Sequence, residues 1–418
     1  MPWKLSALPT PCSAHKKALP RICCGKATLF YPIHKRNLKM QEILFLRVMI
    51  VFAVAFGISL ALTPFAKWLA PKIGAIDMPK ARGMHSKPMP RFGGLAIYLG
   101  SLIAMLLFLP LTGDRMLVGE LVQQDTRLFG LLAAGTVVFL VGVVDDIKGV
   151  TPLQKASGQV LGGLILFFSG IRFDFVGNPF VSGEIIQFPW IISLLLTVIW
   201  VVAITNTINL MDGLDGLAAG ISFISAMCIA YVSYIHGWYM MCLILLALAG
   251  GAMGFLPWNF HPAKIFMGDS GALYLGFMLA AVSILNPAKQ VTVFAMIMPM
   301  LVLALPIFDT AFAIIRRAVN HQPLMVADKG HLHHRIMRVG MGQKRTVLIL
   351  YAICGIMGAA GIVFSRHLYY ETIFLLGCAA ILLYVFIDET NGKKGKKPAE
   401  VPAAASPAAA TPAEKEEK

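Results

Sequence analysis

The sequence predicts an all-α protein that crosses a membrane many times, with about eleven transmembrane helices and an active site on the cytoplasmic face. Three observations predict this. Of the 418 residues, 57% are hydrophobic and only 14% charged, and the mean hydropathy is +0.73, far above a soluble globular domain. The apolar residues gather into runs of about membrane-helix length. Between these runs, oxygen-bearing side chains recur in a few short loops that all fall on one side.

Residues 1–39 differ from the rest: eight Lys or Arg, several Pro and the pair Cys23-Cys24 occur with no sustained apolar run. No apolar core and cleavage site of a secretory signal is present in this stretch. Met40 stands directly before the first long apolar segment, so translation is expected to start there, with 1–39 a basic extension. The membrane-embedded domain is expected over 40–388. Its candidate spans are 43–69, 93–112, 127–144, 156–171, 189–208, 215–235, 238–256, 271–286, 291–315, 346–365 and 369–388. Runs of this length read as helices, because every backbone group in lipid must find its partner within the segment. Residues 389–418, rich in Lys, Ala, Pro and Glu, cannot bury a core and read as a disordered tail.

Loops after odd-numbered spans carry most of the basic residues: Lys72, Lys80, Arg82, Lys87 and Arg91, then Lys148 and Lys155, then Lys264, then Arg316 to Arg345. The positive-inside rule puts these loops in the cytoplasm. The net charge of +15 therefore reads as orientation and phosphate attraction, not nucleic-acid binding. Seven cysteines fall in no metal-like spacing, and those in apolar spans read as small core residues.

The most informative stretch is Asn206 to Gly220, where Asn206, Asn209, Asp212 and Asp215 lie between two membrane-length runs with glycines at the turns. An Asp at the centre of a span costs roughly 2.5–3.5 kcal/mol. Two such residues three apart would nearly cancel the gain from burying a span, so the membrane edge is the cheaper place. Oxygen donors gathered there suit Mg²⁺ and a phosphorylated substrate; a polar loop with capping Asn and Asp is the plain alternative. Other loops of the same side match it. Lys87 and Arg91 could meet an anion beside the pair Gly93-Gly94. Asp145-Asp146 repel one another unless a cation or proton intervenes; one could bind metal while the other accepts a proton, or both could face water and cap the helix beginning near Thr151-Pro152. Asp269 sits between glycines in Gly268-Asp269-Ser270-Gly271 at the mouth of a span. That string also surrounds the nucleophile of serine proteases, but the context excludes that chemistry. His331, His333, His334 and Arg335, after Arg316-Arg317, could bind Zn²⁺ by their spacing, but with no further ligand set beside them and several Arg and Lys nearby they read better as a phosphate-contacting loop.

Taken together, Asp145-Asp146, Asn206-x-x-Asn209-x-x-Asp212-x-x-Asp215-Gly, Phe266-Met267-Gly268-Asp269 and His331-x-His333-His334-Arg335 resemble the polyprenyl-phosphate N-acetylhexosamine-1-phosphate transferases, in the undecaprenyl-phosphate N-acetylglucosamine-1-phosphate branch of glycosyltransferase family 4. The sibling muramoyl-pentapeptide enzymes usually carry His-His-His-Phe-Glu where this chain has His-Leu-His-His-Arg. The resemblance implies transfer from a UDP-N-acetylhexosamine to undecaprenyl phosphate with loss of UMP, a step that starts a cell-surface polysaccharide on the bacterial plasma membrane. It implies Mg²⁺, with Mn²⁺ a substitute, held by Asn209 and Asp269 with Asp212 close by. Asp145, supported by Asp146, is similar to the residue proposed to deprotonate or orient the lipid phosphate. Asp215 resembles a uracil-side contact, while Lys155, Arg317, His331 and Arg335, with His333 and His334 of the same loop, look like phosphate binders. Which hexosamine is used, which carboxylate acts as base, and whether two copies pair as a homodimer are left open. The rival from another class is an ion-coupled transporter. Such sites tend to lie at the membrane midplane between repeated halves; here the carboxylates sit at span ends on one side and no internal repeat is visible.

Overall fold

The computed structural model describes residues 30–78, 88–108, 115–177, 185–285, 300–319, 342–366 and 368–392. The chain divides into two units, Met1–Arg47 and Val48–Lys418. Within the first, the described residues are helical from Phe30 onward.

Each interval read as a span overlaps a described helix, though 109–112 and 291–299 lie outside the described residues: α1 Phe30–Ile73, α2 Gly94–Phe108, α3 Arg115–Lys148, α4 Pro152–Phe168, α5 Trp190–Met211, α6 Leu217–Ile235, α7 Tyr239–Asn259, α8 Gly268–Leu285, α9 Ala304–Val319, α10 Gln343–Ser365 and α11 Tyr369–Gly392. Two antiparallel hairpins complete the described elements, β1 Ile76–Asp77 with β2 Met89–Pro90 and β3 Phe175–Gly177 with β4 Ile185–Gln187. By length and composition, seven of the described helices can cross a membrane: α1 from Phe45, α3 from Thr126, and α5, α6, α7, α8 and α10. The α2 and α11 apolar segments are shorter. The fold is a multi-pass, all-α membrane protein. Helices α1 and α3 begin upstream of their apolar runs. In α3 the stretch before Thr126 includes Met, Leu, Glu and Gln, residues of high helix propensity.

Helix α8 is the centre of the bundle. It packs against α2, α3, α5, α6 and α7 and is buried without a break from Ser270 to Ile284. Around it the outer helices turn large apolar side chains outward, among them Trp68, Phe168, Ile191, Ile199, Phe374 and Ile381. Apolar exposure on this scale would mark a binding surface in a soluble protein; here it is the lipid-facing coat. Close approach to α8 depends on small residues, as in other lipid-embedded bundles. A Cβ at Gly142 of α3 would lie 2.4 Å from the Ser270 Cα, so α3 can approach α8 this closely only with glycine at that position.

Candidate active site

Helix α4 starts at a capping box. Thr151 accepts from the Gln154 N–H, the Gln154 side chain returns to the Thr151 N–H, and Pro152 fills the first helical position. This frees the paired carboxylates at the end of α3 from capping α4. Neighbouring helical residues point about 100° apart, so Asp145 and Asp146 serve different partners.

Asp146 turns inward and its side chain is fully buried. One oxygen accepts from the Asp269 N–H at 2.8 Å and the other from the Ser270 N–H at 3.0 Å. These are N–H groups of the first turn of α8, which have no partner within the helix. A carboxylate from α3 therefore caps α8, where negative charge is favoured. Gly268 leads into that turn with φ +75°, and a Cβ there would lie 2.5 Å from an Asp146 oxygen; both facts require glycine. Asp145 accepts from the Val150 N–H at 2.8 Å and from Lys155 Nζ at 2.6 Å, and its carboxyl also lies against that of Asp269.

Asp269 is where the segments meet. Its Oδ2 accepts from Arg91 Nη2 at 2.5 Å and Lys155 Nζ at 2.9 Å, and its Oδ1 from Asn209 Nδ2 at 2.6 Å. Arg91 also lies 3.1 Å from Asp146 through its Nε. The Arg91 segment is held in place by its backbone: the Gly93 and Gly94 N–H groups donate to the Phe266 and Met267 carbonyls, and the Phe266 N–H donates to the Pro90 carbonyl. Burial works against charge on Arg91 and Lys155, yet the carboxylates around them hold both above their ordinary pKa values, Asp269 foremost.

Asp212 follows the last turn of α5 and is half-buried. Burial, then the charge of Asp269, pushes its carboxyl up to about 7, with Arg91 working the other way. Among the described residues, Asp145, Asp146, Asp212 and Asp269 face only Arg91 and Lys155 in this network, an excess of two negative charges when all are ionised. Among the described residues no three acidic, His or Cys side chains converge into a metal cage. An oxygen donor set of one amide and one or two carboxylates, with excess negative charge, fits the way Mg²⁺ binds between a protein and substrate phosphates. Asn209, Asp269 and Asp212 are the residues that would hold it.

Asp215 is buried elsewhere. It accepts from His261 Nδ1 at 2.8 Å and from the Ala263 N–H at 3.1 Å. Next to it the Gly216 N–H donates to Asn259, whose amide in turn donates to the Ile265 carbonyl, and the Tyr351 hydroxyl donates to the Gly216 carbonyl. Asp215 thus clasps the segment that delivers Phe266 and Asp269. Its charge reaches the cluster as one contributor to the raised pKa of Asp212.

Of the residues singled out in the sequence, the fold brings Asp145, Asp146, Lys155, Asn209 and Asp269 into one hydrogen-bonded cluster with Asp212 beside it. Arg317 lies near the end of α9 with most of its side chain buried. His331, His333, His334 and Arg335 lie outside the described residues, as do Lys87 and the stretches 1–29 and 393–418. Sequence reasoning noted Arg91 as an anion contact without placing it in the site. It assigned nothing to Gln159, Asn259 or His261. The Arg91–Asp269 contact joins residues 178 apart, which no periodicity signals.

Residues 128–286 match the profile of glycosyl transferase family 4. The chain is 36% identical to the probable undecaprenyl-phosphate N-acetylglucosaminyl 1-phosphate transferase of Bacillus subtilis, over 83% of this chain and 93% of the relative. It is also 36% identical to the decaprenyl-phosphate N-acetylglucosaminephosphotransferase of Mycolicibacterium smegmatis, over 77% of this chain and 83% of that protein. A phospho-N-acetylmuramoyl-pentapeptide-transferase of Moorella thermoacetica shares 32% identity over 65% of this chain and 83% of its own length. The family match spans the ends of α3, α4, α5 and α8 that build the cluster. With relatives this similar along nearly their whole length, the chain belongs to glycosyl transferase family 4, in its branch of polyprenyl-phosphate N-acetylglucosamine-1-phosphate transferases.

Proposed function

We propose that this chain transfers N-acetylglucosamine-1-phosphate from UDP-N-acetylglucosamine to undecaprenyl phosphate on the cytoplasmic face of the bacterial plasma membrane. A lipid phosphate oxygen attacks the β-phosphorus, the bond from that phosphorus to the bridging oxygen breaks, and UMP leaves with the bridging oxygen. The product is undecaprenyl-diphosphate-N-acetylglucosamine. The observation that carries this reading is the meeting of Arg91, Lys155 and Asn209 on Asp269 at the ends of apolar helices.

Phosphoryl transfer between two anions needs charge neutralisation and in-line placement more than a strong nucleophile. Arg91 and Lys155 supply fixed positive charge, and His331, His333, His334, Arg335 and Arg317 are proposed to add donors to the diphosphate. Asn209, Asp269 and Asp212 would hold Mg²⁺, or Mn²⁺ in its place, which would supply further positive charge to the diphosphate. A phosphate monoester has its second pKa near 6, so the attacking oxygen is largely ionised at neutral pH. Asp145, already paired with Lys155, is therefore proposed to orient the lipid phosphate more than to deprotonate it. Asp146, committed to the α8 cap, holds the site together. Asp215 is proposed to act on the uracil side through the segment it clasps.

The test is UMP release by the purified protein, given UDP-N-acetylglucosamine and undecaprenyl phosphate, with and without Mg²⁺ and beside Asp269→Asn. Release that needs lipid and metal and collapses in the variant is expected. Release with UDP-N-acetylmuramoyl-pentapeptide alone would move the chain to the sibling substrate, and silence with every UDP-sugar would overturn the reading.

A further inference from the structure

Asn206 opens the Asn206-x-x-Asn209-x-x-Asp212 motif but does not touch Asp269. Its amide instead forms a reciprocal pair with Gln159 of α4. Gln159 Nε2 donates to Asn206 Oδ1 at 3.2 Å, Asn206 Nδ2 donates to Gln159 Oε1 at 2.6 Å, and Asn206 Nδ2 also donates to the Val202 carbonyl at 2.8 Å. Gln159 is fully buried. Around this pair the α4–α5 contact is small and apolar, with the Cβ position of Gly163 3.4 Å from Val198. Apolar residues would pack such a contact without two amides. Interhelical hydrogen bonds add little net stability inside lipid, because separated helices also find partners there. The best-attested use of a buried polar pair between helices is to fix their register.

What the register controls is visible one turn away. Lys155 precedes Gln159 by four residues on α4, and Asn209 follows Asn206 by three on α5, so each shares a helix face with its amide. Those two residues grip opposite oxygens of Asp269, Lys155 on Oδ2 at 2.9 Å and Asn209 on Oδ1 at 2.6 Å. A slip of one residue slides a helix by about 1.5 Å, enough to break either contact. We propose that the Gln159–Asn206 pair is a positioning device that sets the register of α4 against α5, so that Lys155 and Asn209 meet on Asp269. The motif's first Asn thus acts through its third-next neighbour and through a Gln outside the motif. The inference rests on the transferase reading for its activity readout.

The experiment compares wild type with the doubly apolar Gln159→Leu/Asn206→Leu variant and with the exchanged Gln159→Asn/Asn206→Gln variant. Thermal melting, Mn²⁺ binding by electron paramagnetic resonance without substrates, and UMP release are read on the same preparations. The apolar variant is expected to melt near wild type, bind Mn²⁺ about tenfold more weakly, as is usual when a supporting partner of a metal ligand is lost, and lose kcat with little change in KM for the UDP-sugar. The exchanged variant, with both amides retained, should recover most of the Mn²⁺ affinity. Wild-type Mn²⁺ affinity and kcat in the folded apolar variant would overturn the proposal. If that variant does not fold, Asn206→Ala and Gln159→Ala carry the same readouts, and unchanged affinity and kcat in both would overturn it equally. Failure of the underlying reading looks different: wild type itself would then bind no Mn²⁺ and release no UMP.

Discussion

At the scale of single residues, the adjacent carboxylates Asp145 and Asp146 have separate tasks, and substitution separates them. Asp146→Asn presents an amide N–H to one of the two α8 N–H groups, leaving a buried donor unmet and removing a charge from the helix N-terminus. A loss of about 2 kcal/mol of stability is expected, read as a lower melting temperature in detergent. Asp145→Asn keeps the α8 cap, so it should melt near wild type while UMP release falls at least tenfold. Asp212 gives a pH signature. Its folded carboxyl titrates near 7, above the ordinary carboxylate value in the unfolded chain. The folded protein therefore holds this proton more tightly, and the metal-free protein should gain stability as pH falls through 7 and lose it as pH rises. Protons and Mg²⁺ compete for the same oxygens, so apparent Mg²⁺ affinity should weaken below pH 7. Melting curves at pH 6 and 8, with and without Mg²⁺, check both signs; Asp212→Asn should flatten this contribution.

At the scale of elements, the site depends on how closely helices approach α8. Gly142→Ala places a methyl against the α8 backbone, where nothing flexible can yield. The expected outcome is α3 forced away from α8, with a melting loss of about 1–3 kcal/mol and UMP release falling further than the melting alone explains. Gly135→Ala, whose Cβ would press on the flexible Met278 side chain at 3.2 Å and otherwise meet the Tyr274 ring at an ordinary 3.5 Å, is the comparison and should change little. The same elements show which parts of the site were legible. The Asn206–Asp215 motif, the Asp145-Asp146 pair and Asp269 stood out because acidic residues next to membrane-length apolar runs are costly unless used. Arg91 stood out only as a basic loop residue, because its placement depends on backbone pairing between 90–94 and 266–267. Gln159 was silent, since one amide in a helical pattern looks like any other polar residue until its partner is in place. The pair Asp145-Asp146 was open to capping α4; Thr151 takes that task, and Asp146 caps α8.

For the whole molecule, the alternation of basic loops predicts that the α3–α4 corner faces the cytoplasm. Leu153, at the start of α4 and largely exposed, offers a test. A Leu153→Cys probe in a cysteine-free chain should react with a membrane-impermeant maleimide in inside-out vesicles and not in right-side-out ones. The opposite pattern would reverse the proposed orientation and put the cluster on the wrong side for a cytoplasmic nucleotide sugar.

The sequence alone determined the class of the protein, its all-helical architecture and most of the side chains that the fold gathers into the candidate site. Hydropathy acts through contiguous residues, and lipid leaves a long apolar run no alternative to a helix, so both are written locally. Only the tertiary structure decided which carboxylate caps α8, which cations reach Asp269, and that Asp215 clasps the 259–265 segment. Those outcomes depend on contacts between helices distant in the chain, made where glycines allow backbones to touch, and a linear pattern does not encode the distance between two faces.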